Sequence, residues 1–389
     1  MNAKRKIVLI GTTGSSLYGF RSDLIKKLVA DGHEVYAFTS EYTDECLTKI
    51  ESLGAKVVCY RLSRGGLNPF ADLASTLELA KKIKSIQPDL VFSYFTKPVI
   101  YGSLAAKFSG VPYIVGMIEG LGSPYTIHPN GQSSKIKLIR IVQNTLYRIV
   151  FPFLNKIIFL NPDDPVDLIE DNNIHHKKDA VQVLGPIGLN LDDYSYKKWD
   201  ENADVSFIFI ARLIAEKGIF EFIEAAKIVK HQYPSVKFTI IGGLDAENPY
   251  GLSKQELDEI VNLGIIDYPG FVNDVAKRIQ DHAVFILPSY YREGVPRSTQ
   301  EAMAIGRPVI TTDMPGCRET VVDGVNGFLV PKWNAKALAE KMCYFIQFPE
   351  MVNVMGLKSF QIAQERFDAN KVNTRLIEII GLANNETLV

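Results

Sequence analysis

Pro288–Pro331 reads PSYYREGVPRSTQEAMAIGRPVITTDMPGCRETVVDGVNGFLVP and sets two carboxylates, Glu293 and Glu301, with seven residues between them. Val284–Leu287 (VFIL) has the length and apolar continuity of a buried strand, 288–297 is loop, Ser298–Ile305 is patterned as a helix, and Pro308–Thr311 (PVIT) is the next strand. The unit is β-α-β. Ligands of open α/β sheets gather at the carboxyl ends of strands, so a loop glutamate and a first-turn glutamate can face one ligand. Gly294, Val295, Pro296 and Arg297 lead into the helix N-terminus, where unpaired amides and the macrodipole favour a phosphate. Carboxylates for hydroxyls beside donors for phosphate suit a nucleotide sugar. A plainer reading stays open: Ser298-Thr299-Gln300-Glu301 fits a capping box, which would bond Glu301 to its own helix and leave Glu293 a solvated charge.

Strand and helix patterns alternate along the whole chain. IVLI (7–10), VYAF (35–38), VVCY (57–60), LVFS (90–93), YIVG (113–116) and IIFL (157–160) form one series of apolar runs. VSFIFIAR (205–212), KFTIIGG (237–243), VFIL and PVIT form a second. Runs without strict alternation belong to parallel sheets covered on both faces. The polar stretch between the series, with Pro186, Gly188 and YKKWDEN, places a domain boundary near 186–204, giving domains 1–190 and 191–389. A last helical pattern covers 350–382.

The segment that opened this section resembles the E-x7-E region of the retaining glycosyltransferases of family 4, through its small-residue helix, the GRPVITTDMPG strand and turn, and the GVNGFLVP hairpin. The resemblance implies the α/β GT-B fold: two doubly wound Rossmann-like domains facing a cleft, an acceptor domain first and a nucleotide-sugar domain second, with a terminal helix crossing both. It gives Glu293 the donor-sugar hydroxyls and Glu301 the ribose. In FIARLIAEKG, Arg212 follows a strand and Lys217 comes five residues later, the order of the family's R-x4-K pair that neutralises the donor diphosphate. A solvated surface pair is the alternative. Gly242, at the end of KFTII, stands where a nucleotide can approach, or simply makes a tight turn.

In the first domain LIGTTGSS is not GxGxxG, which argues against a nicotinamide or flavin fingerprint. The resemblance lets the Gly14 backbone approach a diphosphate; an ordinary strand-to-helix turn explains it equally. YGFR (18–21), SRGGLNPF (63–70) and EGLGSPY (119–125) resemble the bacterial enzymes that extend undecaprenyl-diphosphate-linked sugars. One position departs from the pattern. Where many family members carry a catalytic-site histidine the sequence reads Met117-Ile118-Glu119-Gly120, so Glu119 is the candidate there, or a loop acid paired with Arg21 or Arg64.

Composition is compatible with such an enzyme and excludes other classes. With 389 residues, 47% hydrophobic content and a net charge of −1, the chain is large enough for two cores and has no nucleic-acid footprint. Residues 1–195 carry 22 Lys and Arg against 19 Asp and Glu, and the remainder 21 against 25, so the first half is mildly basic, the sign expected beside a membrane or lipid phosphate. Cys46, Cys59, Cys317 and Cys343 have no metal spacing and suit reduced cytosolic thiols. No apolar run is long enough to span a bilayer. In Ser133–Leu154, however, Lys137, Arg140, Asn144 and Arg148 share one arc of a helical wheel, while Leu138, Ile139, Val142, Leu146, Ile149, Val150 and Phe153 gather opposite. That helix either packs its apolar face on its own domain or lies on a membrane.

The resemblance therefore implies transfer of a sugar, an N-acetylhexosamine, from a UDP-sugar to a polyprenyl-diphosphate-linked glycan with retention, at the cytoplasmic face of the membrane, in bacterial polysaccharide or glycoprotein-glycan assembly. No cofactor is expected, and no metal, since no Asp-x-Asp pair is present and Arg212 and Lys217 can meet the charge. A UDP-N-acetylglucosamine epimerase shares the fold and nucleotide, and would be exposed by epimerised donor in the absence of acceptor. A non-catalytic sugar-nucleotide-binding protein is the other alternative.

Overall fold

The computed structural model describes residues 4–40, 43–62, 69–245, 248 and 250–383. Its strands are β1 (Lys6–Ile10), β2 (Glu34–Thr39), β3 (Lys56–Cys59), β4 (Leu90–Tyr94), β5 (Tyr113–Ile118), β6 (Lys156–Phe159), β7 (Val181–Val183), β8 (Ser206–Ile210), β9 (Lys237–Ile241), β10 (Asp267–Gly270), β11 (Val284–Leu287), β12 (Val309–Thr312) and β13 (Gly327–Val330). The first seven form one sheet in the order β3-β2-β1-β4-β5-β6-β7, and the rest another in the order β10-β9-β8-β11-β12-β13. Every ladder between these strands is parallel. The apolar runs are continuous because both faces of each sheet are covered: Ile7–Ile10 and Val284–Ile286 are completely buried. Strand order reverses direction between β1 and β4 in the first sheet and between β8 and β11 in the second. Those two crevices are where ligands of open sheets bind.

Two compact units result. One contains the chain up to Pro124, Ser133–Ile187 and everything from Ala369 onward; the other contains Tyr125–Gln132 and Gly188–Asp368. The main division falls at Ile187–Gly188, and eight residues of the first half of the chain belong to the second unit. The terminal helical pattern divides too, into Glu350–Arg366 in the second unit and Ala369–Ile379 in the first.

The GVNGFLVP segment is not a hairpin. Gly327–Val330 pairs in parallel with Val309–Thr312 as an edge strand, entered through the turn at 322–326. Gly327 takes φ +154, and a Cβ there would run into the Val309 backbone, so the close pairing at the start of this strand requires glycine.

Candidate active site

The loop after β8 runs through Arg212 into a 3-10 turn, Ala215–Lys217, and is released into the helix Ile219–Gln232 by Gly218 in the left-handed conformation, φ +81. A side chain at Gly218 would collide with the Pro288 carbonyl of the loop after β11, so the two loops lie in backbone contact. The Glu216 carbonyl accepts from the amides of Tyr290 and Tyr291, at 2.8 and 3.0 Å, and from Ser289 Oγ at 3.1 Å. This seam brings the Lys217 ammonium onto Glu293 Oε1, which also accepts from Ser289 Oγ at 3.0 Å. Both members of the ion pair are largely buried, Lys217 14% and Glu293 11% exposed, so its charge is poorly screened.

The following strand buttresses Glu293 from behind. Thr311 Oγ1 donates to the Leu287 carbonyl at 2.7 Å, Thr312 Oγ1 donates to the Ser289 carbonyl, and Gly316, φ +80, packs so tightly on Glu293 and Gly294 that a Cβ would strike their carbonyls. The Cys317 thiol below them is pushed up to about 12 by burial, which makes it a packing residue.

Glu301 settles the capping question. The helix is Arg297–Ile305, its N-cap is Pro296, and no side chain caps it. Ser298 therefore lies inside the helix and the capping box is not formed. Glu301 Oε1 instead accepts from Arg297 Nε at 3.0 Å, one turn back, and from Tyr194 OH at 2.9 Å. Burial first, then the Glu301 carboxylate, raises the pKa of the Tyr194 hydroxyl and keeps it a donor. Tyr194 lies in the stretch that reads as linker, and only proximity across 107 positions reveals it. Gly294 and Val295 are buried between the two glutamates, and the Val295 and Pro296 carbonyls accept from Gln300 Nε2 at 3.2 and 3.4 Å.

The remaining candidates are placed as follows. Arg212 is half exposed and pairs with Asp245 at 2.6 Å. Gly242, φ +153, sits so close to the Ala211 carbonyl that no side chain fits, and its own carbonyl accepts from Tyr268 OH at 2.8 Å. It fixes the root of the Arg212 loop. In the first unit Gly14 begins the helix Gly14–Phe20 beside the β1–β4 crevice. Glu119, after β5, is ion-paired with Arg21, whose guanidinium also bonds Met117 Sδ at 3.3 Å and lies 4.7 Å from the Tyr94 ring centroid. Burial raises the Glu119 carboxyl pKa, and Arg21 opposes that shift. Arg64 and most of SRGGLNPF lie outside the described residues. Among the described residues no group of three His, Cys, Asp or Glu side chains is arranged to hold a metal.

The family model "Glycosyl transferases group 1" matches residues 196–360, and "Glycosyl transferase 4-like" matches 6–161. The chain is 32% identical to the N,N'-diacetylbacillosaminyl-diphospho-undecaprenol alpha-1,3-N-acetylgalactosaminyltransferase of Campylobacter jejuni, over 96% of this chain and 98% of that one. The chain belongs to the glycosyltransferases. A second relative of this glycosyltransferase is the UDP-Gal:alpha-D-GlcNAc-diphosphoundecaprenol alpha-1,3-galactosyltransferase of Escherichia coli, 26% identical over 67% of this chain and 66% of that one. Among solved structures, Anabaena HepE in complex with UDP and glucose superposes with a TM-score of 0.76 at 18% identity, covering 97% of this chain and all of that one. A Rickettsia africae glycosyltransferase gives 0.75 at 18% identity over 98% of both chains. These two establish the GT-B fold. The relatives give the epimerase alternative no support.

If Glu301 serves a ligand and not its helix, Glu301→Gln lowers UDP affinity about tenfold while the melting temperature barely moves, because a carboxylate bond is roughly twice as strong as a neutral one. Calorimetric titration with UDP checks this; unchanged affinity would assign Glu301 to structure alone.

Proposed function

We propose that this glycosyltransferase moves an N-acetylhexosamine from a UDP-sugar to a polyprenyl-diphosphate-linked glycan, with retention at the anomeric carbon and without a metal. The observation that supports this reading is the switch point of the second sheet, where Lys217 of the β8 loop meets Glu293 of the β11 loop, with Glu301 on the helix that follows. Lys217 and Arg212 would balance the charge that develops on the departing UDP. Glu293, already hydrogen-bonded and fixed from behind, would orient the sugar hydroxyls; Glu301, whose two bonds both fall on Oε1, would offer Oε2 to the ribose. Attack by the acceptor hydroxyl on the face that UDP leaves would account for retention. The Campylobacter and Escherichia relatives, named for undecaprenyl-diphosphate-linked acceptors, support the acceptor class.

The decisive experiment is a screen of UDP-sugars against short polyprenyl-diphosphate glycans, with the product anomer read by NMR. An inverted product would overturn the stereochemical assignment. Activity should persist in EDTA; complete loss restored by magnesium or manganese would overturn metal independence.

The same proposal includes peripheral attachment to the cytoplasmic membrane surface. No described helix is long and apolar enough to cross a membrane. The helix Ser134–Val150 buries Ile136, Gln143, Asn144, Tyr147 and Val150, which reverses the expected orientation of Asn144. Asn144 turns inward because its amide bonds Asn172 Oδ1 at 2.8 Å. Outward stand Leu138, Ile141 and Ile149, each more than half exposed, flanked by Lys135, Lys137 and Arg148. Cations beside an anionic leaflet contribute about 1 kcal/mol each, so binding should be weak and salt-sensitive. Co-sedimentation with anionic liposomes should fall when Lys137, Arg140 and Arg148 are all changed to Gln; equal binding by both proteins would remove this helix from the attachment site.

A further inference from the structure

The eight residues Tyr125–Gln132 come from the first half of the chain yet are built into the second unit. They reach all three loops that frame the candidate donor site. Thr126, fully buried, accepts from the Arg292 amide at 3.1 Å, one residue before Glu293. His128, 6% exposed, stacks on Tyr250 with ring centroids 4.0 Å apart and meets Tyr290 edge-on at 5.9 Å. Tyr250 in turn holds the 3-10 turn of the β8 loop, its carbonyl accepting from the Ala215 amide at 2.9 Å.

At the centre of this cluster is Glu216, the residue between Ala215 and Lys217. It is completely buried, and neither carboxylate oxygen has a hydrogen-bond partner. His128 Nε2, also without a partner, faces Glu216 Oε1 at 3.8 Å. Two orphaned polar groups facing each other at that distance need only a small approach to satisfy both, and leaving a buried polar group unpaired is costly. Burial raises the Glu216 pKa and lowers that of His128. Both shifts favour the neutral forms, a carboxylic acid donating to an imidazole nitrogen.

We propose that His128 is a positioning residue for the donor diphosphate: lodged in the second unit by the 125–132 strap, it holds the Glu216 side chain and thereby sets the turn that presents Arg212 and Lys217. This rests on the reading that those two cations meet the diphosphate. Glu216 suits the part because its carbonyl already joins the turn to the Ser289–Tyr291 segment through three hydrogen bonds. A shift of its side chain is therefore felt in both donor loops.

The test is UDP and UMP binding by calorimetry on the full-length protein, with thermal melting alongside. His128→Phe keeps a ring on Tyr250 but removes the nitrogen; it should weaken UDP about five- to tenfold, the scale of one buried hydrogen bond, and weaken UMP less. Glu216→Gln, which can still donate to His128, should bind UDP like wild type, whereas Glu216→Met should lose as much as His128→Phe. The His128→Phe/Glu216→Met double variant should be no worse than either single one, because the pair acts as a unit. Wild-type UDP affinity in His128→Phe, equal weakening of UDP and UMP, additive losses, or a Gln variant as weak as the Met variant would each overturn the proposal. If His128→Phe does not fold, the Gln and Met variants at Glu216 decide it alone. Arg212→Ala separates the two levels of inference. Unchanged UDP affinity there removes the diphosphate reading itself, while a loss there beside an unaffected His128→Phe removes only the role of the strap.

Discussion

Lys217→Ala should lower the rate of sugar transfer by about 10²–10³-fold, the scale of losing one preorganised donor aimed at developing charge. Two effects act together. The departing diphosphate loses a cation, and Glu293, mostly shielded from water, loses the partner that fixes its carboxylate. A carboxylate released from that partner is less firmly held, so the sugar it is proposed to orient would also be misplaced. Arg212→Ala should fall at the lower end of the same range, since Arg212 is half exposed and already shared with Asp245. Circular dichroism should be unchanged for both variants. Near-wild-type turnover in both would withdraw the phosphate role from this loop.

Arg21→Met should produce the largest change in stability. Its guanidinium is 3% exposed and is the ion-pair partner of Glu119, itself 9% exposed. Removing one member of a buried pair leaves the other uncompensated and typically costs about 3–5 kcal/mol. The pH dependence has a definite sign. Burial already raises the folded-state pKa of Glu119, and without Arg21 it must rise further. A carboxyl whose folded pKa is raised favours the folded state when protonated, and that contribution is lost as pH rises through the folded value. The variant's deficit in urea denaturation should therefore be greatest at neutral pH and shrink on acidification toward the ordinary carboxylate range. A deficit independent of pH would mean that the loss comes from the contacts of Arg21 with Tyr94 and Met117 alone.

Local signals carried the fold. VFIL and IVLI are legible because a strand buried on both faces must be apolar at every position, and the structure finds both as central strands; KFTII, also inside its sheet, departs only at the exposed Lys237 and at Thr239. What sequence missed was weakly apolar or long-range. Asp267–Gly270 (DYPG) is an edge strand with half-exposed positions, so burial imposed no pattern on it. The amphipathic helix Ser134–Val150 was visible, but its direction was not, because the Asn144–Asn172 bond spans 28 positions and makes a polar residue an inward one. In the candidate site Glu293 and Glu301 could be nominated from spacing, and Lys217 from the resemblance to the family's R-x4-K pair. Ser289, Tyr194, Asp245 and His128 could not, since each acquires its part only through a partner elsewhere in the chain.

The interleaving of the two units also bears on how specificity can be exchanged among these enzymes. A hybrid joined at the Ile187–Gly188 junction would inherit a second unit whose eight-residue insert, Tyr125–Gln132, comes from the other parent, and a first unit lacking its own Ala369–Ile379 helix. Such a hybrid is mismatched twice without any error at the seam. Grafting Tyr125–Gln132 and the chain from Ala369 onward with the bodies they complete would be the parsimonious unit of exchange, which makes three crossovers beyond the obvious one the natural specification for a functional chimera.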